Sequence, residues 1–176
     1  MSSTPETETT HAAVQAEVEI AAAPERVFDA LTDPRELAEW WGSDDTHRAR
    51  EWRTDPREGG AWSARTLDAD GREGTLGGAY VVVDRPHHLA YTWHTSDDTA
   101  APTLVDIELA PVDVDGVAGT RVTVTHTTLG DERGITCCAA AAACATTDRL
   151  WARALRRFAS GRTTWNVLAV SDAAAR

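Results

Sequence analysis

Residues 119–160 read GTRVTVTHTTLGDERGITCCAAAAACATTDRLWARALRRFAS, and inside this stretch the hydrophobic period changes from that of a strand to that of a helix. Val122, Val124 and His126 share one face, opposite Arg121, Thr123 and Thr125, which is the alternation of a half-buried strand. The spacing then predicts a long helix from about residue 135 to 160, free of proline and closed by Gly161 as its C-cap. At helical spacing one face carries Cys137, Ala140 or Ala141, Cys144, Thr147, Trp151, Leu155 and Phe158. The first half of that stripe is small and the second half is large. A sheet packed on this helix would be filled at the helix C-terminal end and open at its N-terminal end, which predicts a cavity.

Working toward the N-terminus, the chain from about residue 47 to 127 is strand and turn. Candidate strands cover 48–53, 60–67 and 75–84, with Asp70-Gly71 as a hairpin turn and Arg85-Pro86 as a break. Leu89, Tyr91 and Trp93 alternate with polar or small neighbours, as do Val105, Ile107 and Leu109. Ahead of them, Val14, Ala16, Val18 and Ile20 form a further alternating strand. Two short helices follow it. Pro24 opens the first, whose apolar face is Val27, Phe28 and Leu31. Asp33 caps the second, with Pro34 in its first position and Glu36 completing a capping box. The second helix runs through Trp40-Trp41 and stops at Gly42. Consecutive strands without intervening helices cannot make alternating βαβ units; they make an antiparallel meander. The expected fold is α+β: a seven-stranded curved antiparallel sheet wrapped around one long C-terminal helix, with two short helices closing one end. Residues 1–12 are expected to be a disordered leader, 13–161 the domain and 162–176 a tail.

The 176 residues suffice for one domain with its own core. No apolar run is long enough to cross a membrane, and the first residues have no signal-peptide pattern. The net charge of −11, from 28 acidic and 17 basic residues, sets the surface against nucleic acid and anionic lipid. Cys137, Cys138 and Cys144 are read as reduced thiols, since vicinal cysteines strain a disulfide and an odd count leaves one over, so a cytoplasmic location is expected. The residues leave the oligomeric state open, with a monomer favoured. No spacing of histidine and cysteine matches a metal site, and no cofactor is expected.

The chain holds seven tryptophans against two phenylalanines and two tyrosines, more indole than a core of this size needs. Trp40, Trp41, Trp52, Trp62, Trp93 and Trp151, with Tyr91, are the candidate ligand-binding residues, because an indole gives a broad rigid face and one N–H. Each taken singly reads first as ordinary core; the case for a site rests on the group. Adjacent on a helix, Trp40 and Trp41 are expected to diverge, leaving one at the cavity mouth. His126 is either a polar anchor or base in the cavity, or a core histidine satisfied by hydrogen bonding. Cys144 is expected to line the open end of the groove as a small hydrophobe. His87-His88 are read as solvated. No nucleophile elbow, phosphate loop or paired-carboxylate motif is present, so no residue is assigned as catalytic.

The order of elements resembles the START-like, birch-pollen-allergen-like (SRPBCC) superfamily of helix-grip folds. The segments AAAPERVFDALTDPRELAEWW at 21–41, REGGAWSAR at 57–65, GGAYVVVDRPHHLAYTW at 77–93 and GTRVTVTHTTLGD at 119–131 resemble the branch typified by activators of the heat-shock-protein ATPase. The chain departs from that branch in its last helix, where Leu150, in place of a glycine, precedes Trp151. The resemblance implies an internal cavity that sequesters a small hydrophobic or aromatic molecule, with a polyketide or enediyne in antibiotic self-resistance as the specific expectation. It also admits a polyketide aromatase/cyclase and a co-chaperone-like interaction domain.

Overall fold

A computed structural model of the chain describes residues 13–43, 47–68, 70–96, 103–128, 154–155, 157–158 and 167–172. Strand β1 (Ala13–Ile20) leads to helices α1 (Pro24–Thr32) and α2 (Pro34–Trp40). The strands β2 (Gly42–Ser43), β3 (His47–Thr54), β4 (Ala61–Asp68), β5 (Glu73–Asp84), β6 (His88–Thr95), β7 (Thr103–Val114), β8 (Val117–Thr128) and β9 (Val167–Asp172) follow. One antiparallel sheet holds them in the order β2-β3-β4-β5-β6-β7-β8-β1-β9. The seven strands expected from the alternation are all there. The sheet is longer by two: the two-residue β2 beside β3, and β9, which lies within 162–176 and pairs with β1.

Of the long C-terminal helix, Ala154, Leu155, Arg157 and Phe158 are described, and they are helical. Ala154, Leu155 and Phe158 are buried in the same core as the sheet, so the large half of the helix stripe fills its end of the fold. The small half, from Cys137 through Cys144 to Thr147, and Trp151 lie outside the described residues.

The helices dock on the sheet by the faces the sequence assigns. Val27, Phe28 and Leu31 of α1 and Leu37 and Trp40 of α2 are buried against Val18, Ile20, Val105, Ile107, Leu109, Val122 and Val124. The turn between the helices is fixed by polar contacts. Asp33 Oδ1 accepts the N–H of Arg35 at 2.7 Å and of Glu36 at 3.3 Å, as an N-cap should. Glu36 carries no return bond in a capping box. Its carboxylate instead takes Arg26 Nη1 at 3.0 and 2.8 Å, tying α2 back to α1, because a charge-assisted pair is stronger than a bond to a neutral N–H. Thr54 Oγ1 of β3 donates to Thr32 O at 2.9 Å and Arg85 pairs with Asp29 at 2.9 Å, so α1 and the corner are held to the sheet from two sides.

His88 departs from the expectation of a solvated turn residue. It opens β6, and its Nε2 meets Asp106 Oδ2 of β7 at 2.9 Å with both side chains half-buried. Only His87 is left in the turn.

One backbone position governs the aromatic face of the sheet. Trp62 of β4 stands opposite Gly78 of β5, and its Nε1–H reaches over that residue to donate to Thr92 O of β6 at 3.1 Å. A Cβ built on Gly78 would lie 2.7 Å from Trp62 Nε1 and would overlap Thr92 O. Both obstacles are held in place, one of them backbone. At neighbouring Gly77 a Cβ meets Trp62 O at 3.3 Å and the His94 ring at 3.5 Å, which a small adjustment relieves. We therefore expect Gly78→Ala to cost about 2–3 kcal/mol of stability and Gly77→Ala no more than about 1 kcal/mol, read from paired denaturant titrations. Equal losses would show that the indole does not depend on that gap.

Candidate functional site

Six of the seven aromatic side chains expected to bind ligand, all but Trp151, are gathered at one place. Under α2, at the β3–β6 end of the sheet, a cavity of about 20 Å³ is lined by Leu31, Leu37, Trp40, Trp41, Trp52, Trp62, Tyr80, Tyr91 and Trp93. Five of the seven tryptophans are in its wall. The volume is close to the minimum that admits one water molecule. The rings fill the rest of the space themselves.

Their packing is a continuous edge-to-face network. Phe158 meets Trp40 at 4.7 Å between centroids, and Trp40 meets Trp41 at 5.3 Å with planes 82° apart. Trp41 touches Trp52 at 6.4 Å and Trp93 at 5.2 Å. Trp62 sits 5.2 Å from Trp93 and 5.4 Å from Tyr91, and Tyr91 reaches Tyr80 at 6.0 Å. Such offset and T-shaped pairs place positive ring edges on negative faces, each worth about 0.5–1.5 kcal/mol beyond the area it buries. Trp52 and Trp62 alone are near-parallel, 18° apart with centroids at 5.9 Å.

Trp40 and Trp41 do not diverge. Both are 6% exposed and both line the cavity, because the helix ends between them. Trp40 is the last helical residue, while Trp41 has φ −84° and ψ 130°, an extended conformation that turns its side chain back to the same side. Trp40 is pinned by its Nε1–H donating to Ala30 O at 3.0 Å, as Trp62 is by Thr92 O.

The strand register brings Tyr91 and Trp93 of β6 onto the inner face with Leu89, as the alternation predicts. Leu31, Leu37 and Tyr80 were not among the residues expected from sequence to bind ligand. The two leucines carry only the pattern of core residues. Tyr80 had a readable signal: it shares parity with Leu76 and Gly78, and β5 pairs it directly with Tyr91. Burial, then the charge of Asp55, pushes the Tyr80 phenol up to about 12. Burial, then Tyr80, pushes Tyr91 higher still. Both phenols are therefore protonated at neutral pH.

His126 lies beside the cavity rather than in its described wall. Its Nε2 is 2.6 Å from Thr103 Oγ1, and its ring lies 6.1 Å from that of Trp93. Cys144 and Trp151 lie outside the described residues. Among the described residues no group of three histidine, cysteine, aspartate or glutamate side chains is placed to hold a metal ion. No helix among them is long and apolar enough to cross a membrane.

The site can therefore grip a flat apolar group by ring contacts and offer it hydrogen-bond donors. Among the described residues the lining presents no carboxylate and no guanidinium.

The family model described as Activator of Hsp90 ATPase homolog 1-like protein matches residues 21–160. No curated protein matches the chain. Among solved structures, a protein of Mycobacterium smegmatis is similar over 86% of this chain and 91% of its own, at 21% identity and TM-score 0.68. The AHSA1 protein of Silicibacter pomeroyi is similar over 85% and 96%, at 24% identity and TM-score 0.67. An HSP90 activator of Plasmodium falciparum is similar over 67% and 74%, at 22% identity and TM-score 0.50. These likenesses carry the fold.

Burial lowers the His126 pKa to about 4, against about 6.5 for the group in an unfolded chain. The unfolded state then binds the proton that the folded state refuses. The stability this group contributes is whole above pH 6.5 and is lost as pH falls from there through about 4. We expect an acid-side loss of about 3 kcal/mol from this residue. Denaturant midpoints between pH 7 and 4 should fall less steeply for His126→Gln than for wild type; parallel slopes would mean that the imidazole is solvated.

Proposed function

This chain belongs to the Activator of Hsp90 ATPase homolog 1-like family, and on that premise we propose that it binds a small, flat, largely apolar molecule among the indoles beneath α2. The observation that carries the reading is the convergence of Trp40, Trp41, Trp52, Trp62 and Trp93 with two tyrosines on one cavity, drawn from the end of α2 and four strands. A hydrophobic core does not need its indoles in one cluster. A binding site for a conjugated ring system does, since stacking and edge contacts are additive over several faces. The 20 Å³ volume means that ligand enters by parting the rings, with the ligand replacing ring–ring contacts by ring–ligand ones. Enediynes and aromatic polyketides are molecules of this kind. An antibiotic self-resistance role follows where one of them is the ligand.

The small volume is also the observation that favours a second reading. A cluster this full is consistent with a core whose domain works through its surface, as a co-chaperone-like interaction module. The cyclase alternative has less support, because the titratable groups lining the cavity among the described residues are the phenols of Tyr80 and Tyr91, held protonated, and neither is a base at neutral pH.

The test is saturable quenching of tryptophan fluorescence by a flat aromatic probe such as 9-fluorenone. Trp93→Ala should weaken binding at least about tenfold and cost about 3–5 kcal/mol of stability. An absence of saturable binding, together with stimulation of an Hsp90 ATPase by the chain, would establish the second reading. For the resistance role, cells expressing the wild-type chain should survive an enediyne at doses that kill cells expressing Trp93→Ala.

A further inference from the structure

Strand β3 breaks its own alternation immediately before Trp52. Ala49 is buried, Arg50 and Glu51 are both exposed, and Trp52 turns back into the core. The register with β4 slips between Arg50 and Arg53, and Glu51 has φ +54°, in the left-handed region that non-glycine residues avoid. This is a β-bulge. Its effect is to place Trp52, an even-numbered residue, on the same face as Ala49. Without the bulge Glu51 would face the core and Trp52 the solvent. A left-handed glutamate is strained, and the residue it serves to turn inward is Trp52.

Trp52 then arrives with an unmet polar demand. Its Nε1 is fully enclosed and has no hydrogen-bond partner, the one such buried side-chain atom among the described residues. Trp40 and Trp62, in the same wall, both donate to backbone carbonyls. An enclosed N–H without an acceptor destabilises the fold, and an indole N–H can only donate. Nothing in the packing of a plain core calls for a strained bulge that turns in a donor and leaves it unpaired. Trp52 also lines the cavity, lies near-parallel to Trp62 and has Trp41 against it edge-on.

We propose that Trp52 is the residue that selects and orients the ligand: its indole N–H donates to a carbonyl oxygen of the bound molecule, so the site takes flat aryl ketones and quinones in preference to hydrocarbons of the same shape. The inference rests on the pocket reading of the preceding subsection and adds the ligand's polar requirement to it. The wall supports it chemically. The Trp52 indole supplies the donor, the two phenols are protonated, and no carboxylate is among the described residues of the wall to repel a carbonyl oxygen. The Trp52 ring forms one flat face of the site, and its N–H fixes how the ligand is turned within it.

The test uses 9-fluorenone and fluorene, which share one flat frame and differ by the carbonyl. By calorimetry on the full chain, wild type should bind fluorenone about tenfold more tightly than fluorene. Trp52→Phe keeps a flat ring and removes the N–H. It should weaken both compounds through the smaller ring and lose the preference, binding fluorenone and fluorene within about twofold of each other. In wild type labelled with ¹⁵N-tryptophan, the Trp52 indole proton should move downfield with fluorenone and not with fluorene, a readout that does not require the variant to fold. Equal binding of both compounds by wild type, a preference that survives in Trp52→Phe, or an unmoved Trp52 proton overturns the inference while leaving the pocket. Binding of neither compound removes the pocket reading, and this inference with it.

Discussion

The Trp62 indole crosses β5 to place its N–H on the Thr92 carbonyl, and the residue it crosses, Gly78, has no side chain. Three strands are fastened by that contact, and the ring so fixed is the surface on which the others assemble. Tyr91 and Trp93 stand edge-on to it, Trp52 lies along it, and Trp41 joins from the helix side through Trp93 and Trp52. A tryptophan held by backbone at both ends of its reach cannot rotate to close a gap or open one. The movable members of the cluster are then those without such a tether, and Trp52 is the one whose N–H is unmet.

The same arrangement explains how a nearly filled cavity and a binding site can be one object. Ring–ring contacts in the empty site and ring–ligand contacts in the occupied one are of the same kind and similar strength, so exchanging them costs little apart from motion. What the empty site cannot satisfy for itself is polar. Specificity would then reside in a single donor, while the indole faces set affinity. The outer face of the sheet shows no such tension: Arg121 is paired with Glu17 and Glu19, and His88 with Asp106.

Much of this was readable in the residues. The period-two runs locate the seven long strands, and the proline-opened apolar stretches locate both helices, since each pattern reflects which face must leave water. The tryptophans were readable as a group because their number exceeds the needs of the core. What alternation could not show was where it breaks. Trp52 has the wrong parity for the face it occupies, and only the left-handed Glu51, a conformation that no residue type there announces, brings it inside. Trp41 follows a helix whose end could be placed near Gly42 but not to the residue, and one residue of difference decides the direction of its ring. Tyr80 needed the pairing with Tyr91, which is a property of the hairpin register rather than of either strand. β9 was missed because its six residues carry no clear alternation and their partner, β1, is far away in sequence.

That distance has a consequence for how the chain acquires its fold. β1 is made before both strands that flank it, β8 and β9, and even in the nearer pairing Glu19 and its partner Arg121 are 102 residues apart. At ordinary rates of synthesis that gap is roughly 5–20 s during which Val14, Val18 and Ile20 are without their sheet. An apolar strand waiting that long is an invitation to pair with another chain. Glu17 and Glu19, interleaved with those residues, put charge on the waiting strand, and the same two glutamates become the Arg121 pairs once β8 arrives. The side chains that hold the N-terminal strand in the finished sheet are thus the ones that keep it apart from other chains beforehand.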